Sequence, residues 1–193
     1  LIALGVRRLG ADVVVPLAAD GSAQVTLDGA AIAIGQTILA DDAAILDHLT
    51  GSSWPALLRR QAASLILTQT VAPLTAPLLL DLDTDLVLHQ QQEGGVLAQG
   101  PGDIADLAAL VGQRLGIAGA FEQAGQKRLT RVITGDGAPA LGRLGGTGPD
   151  ILAGFGPVGA FLAPALARWL CSAASAAENA WFGARLVTRD AVT

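Results

Sequence analysis

Leu78-Leu79-Leu80-Asp81-Leu82-Asp83-Thr84-Asp85-Leu86-Val87-Leu88 sets how the whole chain is interpreted. Three leucines form an apolar run, a polar stretch with three aspartates interrupts it, and Leu86-Val87-Leu88 resumes it. Apolar runs on both sides of a polar turn predict strand, turn and strand. Glu93-Gly94-Gly95 then marks a hairpin, because glycine reaches positive φ without steric cost, and Val96-Leu97-Ala98 is a third strand. Asp103 can cap a helix by accepting from its first amides. Ile104, Leu107, Leu110 and Val111 recur at helical spacing, which carries that helix to Leu115.

The same order is read toward the N-terminus. Leu1 to Val6 is an apolar run, Arg7 to Gly10 a turn, and Ala11 to Leu17 a strand carrying Val13-Val14-Val15. Asp20-Gly21 turns into a third strand at Gln24 to Leu27, and Asp28-Gly29 turns again. Asp41 caps a short helix through Leu49. Ser53 caps a longer one from Trp54 to Thr70, with Pro55 in its first turn and Leu57, Leu58, Leu65 and Ile66 on one side. Pro73 and Pro77 close it. A meander followed by helices thus occurs twice, over residues 1–70 and 78–128, as a repeat of architecture rather than of letters. The expected fold is α/β with a duplicated three-stranded meander, divided into lobes at 1–76 and 77–193.

Beyond the repeat, Ala120 to Lys127 is predicted as a short helix and Leu129 to Thr134 as a strand. Gly135-Asp136-Gly137-Ala138-Pro139 is a tight loop, and Gly142 to Pro149 is irregular. Asp150 to Leu186 is expected to be largely helical, interrupted near Gly156-Pro157, with Asp190 to Thr193 fraying.

Composition narrows the function classes. Hydrophobic residues are 51% of 193, enough for a sizeable core, and the net charge is −5. Lys127 is the single lysine among twelve basic residues, and no basic stripe is present, so no nucleic-acid ligand is expected. The uncharged run Ile151 to Ala167 is shorter than a membrane span and is broken by glycine and proline, so a buried helix is the better reading. No signal peptide is read in the opening residues. Cys171 cannot form an internal disulfide, which favours a reducing, cytoplasmic setting, and its place in an Ala-rich run reads as a small core residue.

The doubled meander resembles the actin-like ATPase superfamily, which includes actin, sugar kinases and heat-shock chaperone ATPases, and whose fold is ribonuclease H-like. Leu78 to Leu88 is similar to its second phosphate motif. That resemblance gives Asp81 a role in orienting water or magnesium and Thr84 one in holding phosphate. Asp83 stands where the family has glycine, and a carboxylate there would repel phosphate. Arg131-Val132-Ile133-Thr134-Gly135-Asp136-Gly137-Ala138 resembles the adenosine motif, with Gly135 and Gly137 against the nucleotide and Asp136 interrupting the pair. Glu122 and Lys127 stand near the family's later Glu and Lys, at a different separation. Leu1 to Val15 is similar to the first phosphate motif but lacks its Asp.

Other chemistries compete for the same residues. Asp81-Leu82-Asp83 also resembles the haloacid-dehalogenase phosphatase motif, in which the first Asp attacks phosphorus. Lys127 and Asp136 would then balance phosphate and hold magnesium. A calcium loop on Asp81, Asp83 and Asp85 fails at Leu86 and Gln92, where Gly and Glu belong. The bland alternative is a solvated hairpin turn. Gly135 to Ala140 matches a loose dinucleotide fingerprint without a parallel strand–helix–strand unit around it. His48 and His89 read as surface or satisfied histidines, without metal-ligand spacing.

The expectation is therefore a degenerate actin-like subunit that binds a protein partner. Its nucleotide site would be Asp81, Asp83, Thr84, Gly135, Asp136 and Gly137, with ATP and magnesium as candidate cofactors and Asp81 as the magnesium ligand. The alternative is a magnesium-dependent phosphotransfer enzyme using Asp81.

Overall fold

A computed structural model of the chain describes residues 6–10, 13–49, 54–116, 121–146 and 148–190. The expected strand at Leu1 to Val6 lies almost wholly outside these residues, as do the Ser53 cap and most of the frayed end, Asp190 to Thr193.

The strands are β1 (Ala23–Leu27), β2 (Ala30–Ile34), β3 (Ile38–Leu39), β4 (Leu58–Thr70), β5 (Leu78–Asp81), β6 (Leu86–Gln90), β7 (Gly95–Pro101), β8 (Gln123–Thr134), β9 (Ala140–Arg143) and β10 (Asp150–Ala153). The helices are α1 (Asp42–His48), α2 (Ile104–Leu115), α3 (Gly159–Leu170) and α4 (Ala176–Gly183). A five-stranded antiparallel sheet in the order β5-β6-β7-β4-β8 dominates. A small sheet, β3-β10-β9, and the β1–β2 hairpin are the other two sheets. The fold is α/β with mixed sheets.

The Leu78–Leu88 stretch folds as read. Leu78 pairs with His89 and Asp81 with Leu86 around the polar turn. Gly94 turns with φ +87° into β7, where a Cβ would stand 2.7 Å from the Thr70 methyl. Asp103 caps α2 by accepting from the Ala105 and Asp106 amides at 2.8 and 3.0 Å. The face of α2 carrying Leu107 and Val111 buries Ile66, Leu86, Leu88, Val96 and Ala98.

Among the described residues the first copy of the meander does not form. Residues 13–16 form no strand, and the Asp20-Gly21 turn leads only to an isolated bridge between Leu17 and Ala23. The Asp28-Gly29 turn leads into a return strand, β2, that pairs with β1. The helix expected from Trp54 to Thr70 is instead β4, the strand that joins β7 to β8. Residues on both sides of position 76 therefore build one sheet. The short helix expected up to Lys127 is the first half of β8. Asp150 to Ala153 is a strand before the helical end begins.

α1 sits where expected, with Asp41 as its cap. Its Ile45, with Leu49 just beyond, packs against Leu57, Leu58, Val132, Ala140, Ile151 and Val187 in a second core.

Candidate functional site

Strand periodicity places a cavity on the face of the large sheet opposite α2. Side chains alternate across a strand. Ile66 in β4, Leu86 and Leu88 in β6, and Val96 and Ala98 in β7 point into the core under α2. The intervening Val87, Gln99, Gln61 and, cross-strand from Gln61, Arg131 line a cavity of about 500 Å³. Three elements wall it: the β5–β6 turn through Leu82 and Asp85, the loop from Gly154 to Val158, and Asp42 at the start of α1.

Arg131 is the cation in its lining, set against the carboxylates of Asp42 and Asp85. The side chain is only 8% exposed. Nη2 donates to Gln61 Oε1 at 2.7 Å and pairs with the Asp85 carboxylate. Nε has no hydrogen-bond partner among the described residues. A buried guanidinium must be compensated by anions and acceptors, and a planar fork suits a carboxylate. Asp42 faces the same space. Burial pushes its carboxyl up, with Asp41 adding to the effect, while the Val132 amide and the Arg131 charge act against it.

The loop before α3 brings backbone to the cavity edge. Gly154 has φ +68°, and a Cβ there would stand 2.9 Å from the Thr134 methyl. Gly156 has φ +53° and opens a short 3-10 turn, Gly156–Val158, that runs into α3. No side chain caps either start.

The expected site residues do not assemble. Asp81 accepts from the Asp83 and Thr84 amides at 3.2 and 3.4 Å and pairs with Arg114 of α2. Burial pushes its carboxyl up, but Thr84, Arg114 and the Asp83 amide outweigh it and hold it below its ordinary value. Asp83 is exposed. Asp136 accepts from the Ala138 amide at 3.1 Å and takes two bonds of 2.8 Å from Arg189, the main reason its carboxyl lies low. Gly135 and Gly137 sit in the β8–β9 turn, and of the six only Gly137 lines the cavity. Glu122 and Lys127 lie exposed. Among the described residues no three acidic, Cys or His groups converge as a metal site. Gly135 to Pro139 is a turn that carries the chain from β8 in the large sheet to β9 in the small one, not the start of a helix.

His89 is exposed with Nδ1 3.2 Å from Gln91, and His48 is half-buried at the end of α1. Cys171 is exposed, not a core residue. Among the described residues no helix is long and apolar enough to cross a membrane.

No protein-family model matches the chain, and no curated protein matches it. Solved structures do. Glycine oxidase from Geobacillus kaustophilus superposes with a TM-score of 0.56 at 16% identity, covering 88% of this chain and 50% of that one. L-proline dehydrogenase from P. horikoshii gives 0.55 at 17% identity, over 89% of this chain and 52% of its own. Iminodiacetate oxidase from Chelativorans sp. BNC1 gives 0.54 at 21% identity, over 85% and 50%.

The chain has the fold of part of these oxidoreductases. It spans about half the length of the solved structures it matches. This overturns the actin-like resemblance and, with it, the degenerate-ATPase and phosphatase readings. The physical reason lies in the first meander, which the described residues do not form, and in β4, which joins segments of both expected lobes in the five-stranded sheet. These neighbours are named as oxidases and a dehydrogenase, none as an ATPase or a kinase, so ATP and magnesium lose their support as cofactors.

Sequence reasoning missed Arg131, Gln61, Gln99 and Asp42. Arg131 did carry a signal: a charged residue inside an otherwise apolar strand is costly unless it is paired or bound.

Proposed function

We propose that this chain forms the substrate-facing part of a flavin-dependent oxidoreductase acting on an amine that carries a carboxylate. The observation that carries the reading is Arg131, buried at the wall of the cavity in a fold shared with oxidoreductases of glycine, L-proline and iminodiacetate.

The residues fit the ring of a flavin. A planar ring needs apolar walls, which Val87, Val132, Phe155 and Pro157 offer. It also needs donors along one edge, which the uncapped start of α3 supplies with a favourable dipole. Gly154 and Gly156 allow the close approach of backbone that a flat ligand requires. The residues do not fit a dinucleotide tail. Among the described residues no parallel strand–helix–strand unit exists, and that unit is the common seat of a pyrophosphate. When bound, the flavin would accept the two electrons and the hydrogen lost from the C–H bond beside the substrate's nitrogen as C–N becomes C=N.

The chain's own groups do the positioning. Arg131 holds the substrate carboxylate by paired N–H donors. Gln61 fixes the guanidinium plane from the neighbouring strand. Asp42, with its raised carboxyl, is placed to take up a proton near the amine.

The expected protein partner stands as a second proposal. α3 has no buried residue although its sequence is largely apolar, and Phe161 is 67% exposed. Such a face fits the unit that would hold the dinucleotide tail.

Steady-state kinetics of the full protein with glycine, proline and iminodiacetate test the main reading. Arg131→Leu is expected to lower kcat/KM by about 10- to 100-fold, the worth of a charge-assisted hydrogen bond. An Arg131→Leu variant that keeps wild-type kcat/KM on a substrate the protein oxidises would refute it.

A further inference from the structure

The guanidinium that would anchor a substrate carboxylate is already held by a carboxylate of the protein. Asp85 ends the β5–β6 turn with φ +54°, a left-handed backbone that Asp tolerates better than most residues. From there its carboxylate pairs with Arg131. Its Oδ1 lies 3.9 Å from the place where a Cβ on Gly156 would stand, so the group sits between the guanidinium and the glycine loop, inside the cavity. Arg131 is more than nine-tenths buried, whereas the Asp85 side chain is 36% exposed. The two partners are thus unequal: Arg131 is fixed by Gln61 and its strand, while Asp85 stands at a turn with solvent beside it.

Resting on the reading of Arg131 as a carboxylate anchor, we propose that Asp85 is a specificity-determining residue that screens the anchor, so that the cavity rejects simple carboxylates and admits only those that bring further contacts. A carboxylate that enters and claims Nη2 must exchange with Asp85. One carboxylate for another leaves the pairing of Arg131 unchanged, so the exchange itself yields little. A small anion therefore gains almost nothing by entering. A substrate with an amine and a carbon frame makes additional contacts with Gln99, Asp42 and the apolar walls, and these drive the exchange. The displaced Asp85 turns toward solvent and keeps its charge hydrated.

The test is calorimetric titration of acetate into the full protein, as wild type, Asp85→Asn, Asp85→Ala and Arg131→Leu. Asparagine keeps the size of the side chain and can still accept from Arg131, so it guards against misfolding; melting curves check both Asp85 variants. Acetate is expected to bind at least about 10-fold more tightly to both Asp85 variants than to wild type, and combining either with Arg131→Leu is expected to abolish the gain. Equal or weaker acetate affinity in folded Asp85 variants, with binding still lost in Arg131→Leu, overturns the screening role and leaves the anchor intact. Acetate affinity indifferent to Arg131→Leu overturns both readings.

Discussion

Arg189 reaches back to the β8–β9 turn and donates twice to Asp136 at 2.8 Å and once to the Ala138 carbonyl at 2.8 Å. Both side chains are mostly buried, so the pair ties the last described turn to the loop beside the cavity. Asp136 is a clamp here. Its carboxyl lies below its ordinary value because Arg189 stabilises the charged form. A depressed carboxyl contributes stability above the unfolded pKa of about 3.9 and loses it as pH falls through the folded value. Asp136→Asn is therefore expected to cost about 2 kcal/mol at neutral pH. Urea unfolding at pH 7 and pH 3 should show the full deficit at pH 7 and a smaller one at pH 3. An equal deficit at both would mean that charge is not what matters there. At this scale the sequence told little about roles. Asp81 and Asp136 are turn residues that bind nearby amides and an arginine, Asp83 is an exposed turn residue whose amide donates to Asp81, and an aspartate in a turn reads alike whether it serves structure or chemistry. Asp85, visible only as part of a failed calcium loop, is the one that faces the cavity.

Among the elements, local signals held where they were strong. The caps at Asp41 and Asp103, the glycine turn at Gly94 and the apolar spacing of α2 all fold as read. β4 did not. Leu58 to Thr70 holds few β-branched residues, and Pro55 after a serine looks like a helix start. Only Ser64, Ile66 and Thr68, buried in alternation, betray a strand. Its two neighbours in the sheet override its propensity. One cap escaped the sequence reading altogether. Ser175 and Glu178 form a reciprocal capping box at the start of α4, and Arg168 of α3 bonds Glu178 as well. These contacts, Arg168 first, bring the Glu178 carboxyl down to about 2. They fix the corner at which Trp169 and Trp181 pack on the buried Phe182. Ser175→Ala is expected to cost about 1 kcal/mol, read as a lower chemical-denaturation midpoint with an unchanged slope. An unaltered midpoint would show that the cap is idle.

For the whole molecule, the second meander and its helix were legible because each strand and turn is local. The true architecture was not. Pairing β4 with both β7 and β8 joins segments up to 76 residues apart (Leu58 with Thr134), and no local pattern encodes that choice. The same long-range pairing creates the cavity, since Gln61 and Arg131 become neighbours only across β4 and β8. The exposed α3 and the all-but-exposed β2 are apolar surfaces on a chain about half as long as its structural neighbours. Whether this half presents substrate to a flavin is read from the visible spectrum of the purified full protein, followed by anaerobic addition of glycine, proline or iminodiacetate. Flavin absorbance is expected that bleaches with at least one of these amine carboxylates and does not bleach with the matching simple carboxylate, acetate or propionate. A folded protein that binds no flavin when offered it, or a bound flavin that none of the three reduces, would contradict that role.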